Sequence, residues 1–288
     1  MTCQTVSSAQ LVEILKKQAI NKVQDFKQKT GKVPSLTILL AGDNPASLSY
    51  VKNKIKLAKA CGMGSQIIYL DENSKEQYDI MTTKLNNDAD LHGFMTQLPC
   101  PIDLNGELNI NPEKDVDCLT DVTYQKMLNN EEYGYSPCTP LGVLRYLEFL
   151  KQDVNNMNIA VIGRSRLVGE PLAKLLKNKG ANVTVCHSQT PSIKEAIKNC
   201  KVVICAVGKY GLLNKDVIQD GQILIDVGIN KLEGKLVGDC DETVKQKAAL
   251  VTPVPGGVGP LTVMSLITNT IDAAYLQNGF AKPTWEVK

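Results

Sequence analysis

Short runs of β-branched and leucine residues alternate with longer amphipathic stretches along the whole chain, and this rhythm limits the fold more than any other feature. Strands are predicted at 36–40, 66–70, 91–96, 158–162, 183–186, 202–207 and 223–227. Helices are predicted between them at 8–28, 46–61, 75–87, 140–150, 169–179 and 191–198, with a long one at 262–277. Strand–helix–strand succession with nearly continuous apolar strands belongs to parallel sheets covered on both faces. The strands fall into two groups. Between them, residues 100–138 are rich in Pro, Asn and Asp and read as one long irregular loop bridging the halves. At 288 residues the chain is long enough for two such units. The expected architecture is therefore α/β in two lobes, the last helix returning to the first lobe. A small hairpin is expected at 231–236, turning at Glu233 and Gly234.

Charge removes several classes of function. The 32 basic and 30 acidic residues leave a net charge of +2, so neither nucleic acid nor an anionic membrane is an expected partner. No run approaches the ~20 apolar residues of a membrane span, and no basic segment with an apolar signal core opens the sequence. Nine cysteines, an odd number with no CxxC pair, read as reduced thiols of a cytoplasmic protein. With His92 and His187 the only histidines, no metal site is expected.

The second half carries a dinucleotide-type turn. The run 158–169 reads strand, tight turn, helix start, with Gly163 allowing the turn and Gly169 allowing close packing of the helix. Free N–H groups at such a helix start favour a phosphate. The middle glycine of the usual fingerprint is missing, so the motif alone is weak. The next strand ends at Cys186, His187 and Ser188, about 20 residues after the turn, where an NAD-preferring fold places a carboxylate. No carboxylate stands there, and Arg164 and Ser188 are placed to hold a ribose phosphate, which favours NADP. The plainer reading keeps Arg164 as a surface arginine and His187 as a strand-end polar residue.

In the first half, Leu48, Val51, Ile55 and Ala58 form the apolar stripe of the helix predicted at 46–61. Tyr50 and Lys54, spaced i and i+4, stack on one side of it. A lysine beside a phenol and an apolar wall has a lowered pKa and can move protons. The competing reading makes Lys52, Lys54 and Lys56 one solvated basic face. Spacing alone favours that second reading.

Several collinear segments resemble one known family, the bifunctional methylenetetrahydrofolate dehydrogenase/methenyltetrahydrofolate cyclohydrolases. They are YVKNK at 50–54, GFMTQLPCP at 93–101, PEKDVD at 112–117 and PVPGGVGP at 253–260, with CTP at 138–140 and GRS at 163–165. The resemblance implies a folate-binding catalytic domain at 1–139 plus 262–288 and a Rossmann-type NADP-binding domain at 140–261. It implies that Lys54 is the catalytic lysine of the hydrolytic step, Tyr50 stacks on or positions the folate, and Gln97 sets the protonation of Lys54. Asp117 would bind the pterin edge, where a carboxylate accepts two N–H bonds. Leu98, Pro99, Pro255, Gly256, Gly257 and Val258 would complete the substrate site. Gly163, Arg164, Ser165, Val168, Gly169, His187, Ser188, Val207, Gly208 and Ile229 would bind NADP.

The same resemblance implies two reactions on small tetrahydrofolate substrates and a homodimer, built by the hairpin near 231–236. Hydride loss from the methylene compound needs alignment with the cofactor and no catalytic acid. Hydrolysis of the methenyl product needs a proton shuttle. The chain departs from the family pattern at Cys118, where glycine is usual, at Leu119, where an aromatic is common, and at Gln189, where a second basic residue often follows the His-Ser pair. A side chain at 118 is expected to restrict the loop that presents Asp117. Three rival readings are a dehydrogenase lacking the hydrolytic step, another two-lobed dehydrogenase such as one acting on shikimate, and a ligand sensor. The presence of Lys54 and Gln97 argues against the first, the pairing of YVKNK with PVPGGVGP against the second, and the intact constellation against the third.

Overall fold

The computed structural model describes residues 2–104, 108–131 and 134–288. In chain order the elements are β1 (Gln4–Thr5), α1 (Ala9–Thr30), β2 (Ser35–Ala41), α2 (Pro45–Ala60), β3 (Gly64–Leu70), α3 (Lys75–Asn87), β4 (Gly93–Thr96), α4 (Asp121–Leu128) and α5 (Cys138–Phe149). They continue with β5 (Asn158–Ile162), α6 (Gly169–Asn178), β6 (Asn182–Cys186), α7 (Ile193–Ile197), β7 (Val202–Cys205) and β8 (Ile223–Asp226). Last come β9 (Asn230–Leu232), β10 (Lys235–Val237), a 3-10 turn (Glu242–Gln246), β11 (Leu250–Val251) and α8 (Val258–Gln277). These elements belong to two compact units. One joins Met1–Glu13, Thr139–Thr262 and Val287–Lys288; the other joins Ile14–Cys138 and Val263–Glu286.

The second of these units is built on a three-stranded parallel sheet in the order β3-β2-β4. β2 takes the centre because Leu36, Ile38, Leu39 and Leu40 are apolar on both faces, and all four are buried. β3, at the edge, stays half exposed. Leu15, Ala19, Val23 and Phe26 make one buried stripe along α1, at the spacing a helix needs to present a single face. Leu39, Leu70, Tyr78, Leu85 and Phe94 fill the core on one side of the sheet. α3 starts where Ser74 Oγ accepts the N–H of Gln77 at 3.1 Å.

The segment 100–138, expected to be irregular throughout, contains α4. Thr120 Oγ1 caps it by accepting the N–H of Thr123, and Thr123, Tyr124 and Met127 form its buried side. A two-turn helix is too short for its periodicity to stand out from a Pro- and Asn-rich background. Residues 105–107 and 132–133 of that segment lie outside the described residues. From Val263 to Tyr275, α8 is buried on nearly its whole circumference, and apart from Ser265, whose hydroxyl has no partner among the described residues, its polar side chains are bonded internally. Asn269 Nδ2 donates to the carbonyls of Val116 and Ser136 at 2.8 and 2.9 Å. Asp272 accepts Trp285 Nε1 at 2.9 Å.

The other unit holds a six-stranded, all-parallel sheet in the order β1-β11-β8-β7-β5-β6. β5 lies between β6 and β7, so successive strands are added first to one side of β5 and then to the other. In open α/β sheets such a switch point opens a crevice at the carboxyl ends of the strands. Ala160, Ile162, Val203, Cys205 and Leu224 form the core against one face. β1 was not foreseen: its two residues pair with Leu250 and Val251. β7 ends at Cys205, two residues before the expected 207: Ala206 N still bonds to Ile162 O of β5, but the N–H groups of Val207 and Gly208 turn to a carboxylate. β9 and β10 form the expected hairpin, with φ +49° at Glu233 and +80° at Gly234, the two positive values that a tight two-residue turn requires.

Candidate active site

In the three-stranded unit, Lys54 is carried on α2. Asn44 Oδ1 caps α2 by accepting the N–H groups of Ala46 and Ser47 at 2.9 and 3.3 Å, with Pro45 in the first turn. This start fixes the phase of the helix, and with it the side on which Lys54 falls. Lys52 and Lys56 are exposed, whereas Lys54 is 4% exposed. The single basic face favoured by spacing therefore does not exist: β4 runs beside β2 and covers the middle lysine.

Lys54 Nζ donates to Gln97 Oε1 at 3.0 Å, lies 3.3 Å from Met95 Sδ, and sits 4.6 Å from the centroid of the Tyr50 ring. One amide oxygen, one weakly accepting sulfur and one aromatic face solvate an ammonium poorly. Burial accordingly lowers the Lys54 pKa, and the negative charge of Asp117 opposes that fall. Gln97 is held for its task. Its backbone N–H bonds to Leu39 O at 2.9 Å, continuing the pairing of β4 with β2, and its Nε2 donates to Leu98 O at 2.7 Å. That leaves Oε1 facing the lysine. Met95 was missed from sequence, although residues 95 and 97 share a strand face by simple alternation. Leu98 is half-buried and Pro99 exposed, next along the chain.

Asp117 sits half-buried on a turn in which Cys118 N donates to Asp115 O at 3.1 Å. The turn is welded by the fully buried Asp115, whose carboxylate accepts the N–H of Leu119, the N–H of Thr120 and the hydroxyl of Thr123. Cys118 has φ +58° and is buried. The left-handed region explains why glycine suits this position, and the thiol is accommodated there at a conformational cost. On the other side, a Cβ on Gly93 would meet Val116 Cγ1 at 2.5 Å, so the Val116 side chain packs directly on the backbone of β4.

In the six-stranded unit, the residues expected to bind a dinucleotide all lie at the carboxyl ends of parallel strands. Gly163, Arg164, Ser165, Val168 and Gly169 follow β5; His187 and Ser188 follow β6; Val207 and Gly208 follow β7; Ile229 follows β8. The β5–α6 turn is folded so tightly that a Cβ on Gly163 would sit 2.6 Å from Ala206 O, and one on Gly169 would sit 2.1 Å from Gly163 O. Arg164, Ser165 and Ser188 are exposed. Val168, at the N-cap of α6, offers no capping side chain; Ser165 Oγ accepts the N–H of Gly169 at a long 3.5 Å and Ser165 O accepts that of Glu170 at 3.1 Å. Thr190 Oγ1 accepts the N–H of His187, and His187 Nδ1 accepts the N–H of Gln189, so the turn after β6 is tied down locally. Val207 and Ile229 expose 47% and 66% of their surface, unusual for such residues at strand ends.

Pro255, Gly256, Gly257 and Val258 belong to this same unit, on the loop from β11 into α8. Gly256, at φ +101°, offers its carbonyl to the N–H and hydroxyl of Ser8 at 3.0 and 3.1 Å. A Cβ on Gly257 would lie 2.5 Å from Pro253 O. Among the described residues no cluster of His, Cys, Asp or Glu could hold a metal ion, and no helix is long and apolar enough to cross a membrane.

Comparison with known proteins gives a consistent picture. Residues 6–117 match the family model of the tetrahydrofolate dehydrogenase/cyclohydrolase catalytic domain, and residues 137–278 match that of its NAD(P)-binding domain. The bifunctional protein FolD of Bacillus pumilus is 40% identical over 280 residues, covering 95% of this chain and 98% of that protein. FolD of Macrococcus caseolyticus is 44% identical over 262 residues, covering 88% and 92%. The crystal structure of FolD from Campylobacter jejuni superposes with a TM-score of 0.89 at 38% identity, covering 94% of this chain and 98% of that one. The FolD of Trypanosoma brucei, complexed with NADP cofactor and inhibitor, superposes with a TM-score of 0.89 at 32% identity, covering 97% and 99%.

Proposed function

The chain belongs to the tetrahydrofolate dehydrogenase/cyclohydrolase family, and from that premise we propose which of its residues carry each reaction. It is an enzyme of folate one-carbon metabolism with both activities. It oxidises 5,10-methylenetetrahydrofolate to 5,10-methenyltetrahydrofolate with NADP⁺ and hydrolyses the methenyl compound to 10-formyltetrahydrofolate.

When bound, NADP⁺ supplies the hydride acceptor. The residues present suit it. The glycine-lined turn after β5 leaves space where side chains would intrude, α6 begins with an N-cap residue that has no capping side chain, and Arg164 and Ser188 are exposed for a ribose phosphate. His187, Val207, Gly208 and Ile229 complete the assignment. For oxidation the chain needs only to align the one-carbon bridge, since the folate nitrogen's lone pair drives hydride loss.

Hydrolysis falls to Lys54. As a free amine it takes a proton from the water that adds to the methenyl carbon, and returns it to N5 as the C–N5 bond opens. The proton of the new hydroxyl passes to solvent. Gln97 orients Nζ, Tyr50 shields it and faces the folate, and Asp117 accepts N–H bonds from the pterin edge. Leu98, Pro99, Pro255, Gly256, Gly257 and Val258 are assigned to the substrate. The observation that carries this reading is the burial of Lys54 against Gln97, Met95 and Tyr50, which favours an amine that gives up its proton more readily than an ordinary lysine. Lys54→Ala is expected to abolish hydrolysis of methenyltetrahydrofolate, read from loss of its absorbance, while NADPH formation partly survives. Near-normal hydrolysis in that variant refutes the assignment.

The folate-binding domain is assigned to 1–139 plus 262–288 and the NADP-binding domain to 140–261; the compact units divide at 138/139 and 262/263 but group Met1–Glu13 and Val287–Lys288 with residues 139–262. A homodimer through the β9–β10 hairpin is supported by the exposure of Leu232 and Leu236, at 44% and 50%, and light scattering tests it. A cytoplasmic location fits the nine free cysteines.

A further inference from the structure

Two buried aspartates at the carboxyl edge of the six-stranded sheet have no part in the chemistry above, and their bonding links them in series. The carboxylate of Asp226, at the end of β8, accepts the N–H groups of Gly228, Asp239 and Cys240 at 3.1, 2.9 and 2.9 Å. It thereby fixes the backbone on which Asp239 stands. Leu213 secures that backbone from the other side, its N–H meeting Asp239 O and its carbonyl accepting the N–H of Asp241.

Asp239 is wholly buried and spends its carboxylate on the loop after β7. Oδ2 accepts the N–H groups of Val207 and Gly208 at 2.8 and 3.1 Å; Oδ1 accepts the N–H of Lys209 at 2.7 Å and Asn230 Nδ2 at 3.0 Å. The packing is as close as the bonding. A Cβ on Gly228 would lie 2.1 Å from Asp239 Oδ1, and one on Gly238 would lie 1.9 Å from Asp226 Oδ2. Each carboxylate is thus seated on a glycine that no other residue can replace without displacing it.

We propose that Asp239 is a positioning residue for the dinucleotide, its carboxylate bracing the 207–209 loop and the start of β9 so that Val207, Gly208 and Ile229 are held in register with the β5–α6 turn. This rests on the assignment of those residues to the cofactor site. Three successive N–H groups form a nest that would otherwise bind an anion. Because Asp239 occupies it, this loop offers the ligand no phosphate cradle. It offers the apolar surfaces of Val207 and Ile229 instead, suited to a planar ring, and leaves phosphate to the start of α6. A carboxylate bonded to four donors is a stiff support, and stiffness in the supporting shell is what holds a binding surface to sub-ångström tolerance.

The test is the split between the two activities. Asp239→Asn replaces one acceptor oxygen by a donor set against backbone donors, and is expected to raise the KM for NADP⁺ at least about tenfold while kcat for methenyltetrahydrofolate hydrolysis stays within about twofold. Asn230→Ala removes only the side-chain donor of a partly exposed residue and is expected to raise the KM about threefold; it decides the matter if the aspartate variant does not fold. A KM within about twofold of the parent in both variants, or in Asn230→Ala alone should the other be insoluble, overturns the proposal. Arg164→Ala separates the two levels. An unchanged KM there defeats the placement of the cofactor, whereas a raised KM there with unchanged values at 239 and 230 defeats only the brace.

Discussion

His92 sets an acid limit on the stability of the unit that contains Lys54. It lies one residue before β4, the strand that leads to Met95 and Gln97, and is 1% exposed. Its Nδ1 accepts the N–H of Ser35 at 3.2 Å, and its ring stands edge-on to Phe26 with centroids 5.4 Å apart. Among the described residues Nε2 has no partner. Burial, with the cations of Lys32 and Lys114 adding to it, depresses the His92 pKa from 6.5 to about 4, against the smaller opposing effect of Asp90 and Asp88. Between those two values the unfolded chain binds a proton that the folded chain does not. The folded state therefore loses stability as pH falls through the unfolded value, and the loss is complete near the folded one. At about 1.4 kcal/mol per pH unit the full gap amounts to about 3 kcal/mol, of which about 2.5 kcal/mol has gone by pH ~4.5. Urea unfolding from pH ~7.5 to ~4.5 measures it, comparing the parent with His92→Asn, whose Oδ1 can accept the same Ser35 N–H. Carboxylates that titrate in the same window contribute to both proteins and cancel in the difference. The variant should lose about 2.5 kcal/mol less than the parent over that range; parallel curves, within about 0.5 kcal/mol, would refute the reasoning.

Two further outcomes follow from the site. The proposed role of Lys54 requires a free amine, so kcat for hydrolysis should rise with pH through a limb lying below the range of an ordinary lysine; Asp117→Asn, by removing the charge that opposes the shift, should move that limb to lower pH, and an upward move or none contradicts the electrostatics. Cys118→Gly should change unfolding free energy by less than about 1 kcal/mol, because relief of the left-handed backbone offsets the lost burial of the thiol; a loss above about 2 kcal/mol would show that the sulfur is a packing element.

What could be read from sequence follows the range of the interactions involved. β5, α6 and α3 were readable because their periodicity and turn residues are local. The Gly163–Gly169 turn was readable for the same reason, and the structure adds only why a Cβ cannot fit. The state of Lys54 was not. Lys52, Lys54 and Lys56 look alike until β4 is laid beside β2, since burial is decided by residues 41 and 43 positions away. Asp226 and Asp239 were invisible for a related reason. Acidic residues near strand ends are common, and only the folded loop brings three consecutive N–H groups to one carboxylate from a distance of about 30 residues. β1 escaped notice because two residues carry no pattern at all.

Asn269 and Gln277 extend the account to the order in which the protein is made. Asn269 holds the carbonyls of Val116 and Ser136, and Gln277 those of His92 and Glu113, the latter pair at 2.7 and 2.8 Å. These are the supports of the strand and turn that carry Gln97 and Asp117, yet both donors lie on α8, which follows every strand of the dinucleotide sheet along the chain. A nascent chain has that sheet, β11 included, before the folate unit receives α8. The residues assigned to hydrolysis are therefore fixed only after the dinucleotide sheet is made, and a protease cut or a stop codon shortly after residue 262 should cost hydrolysis.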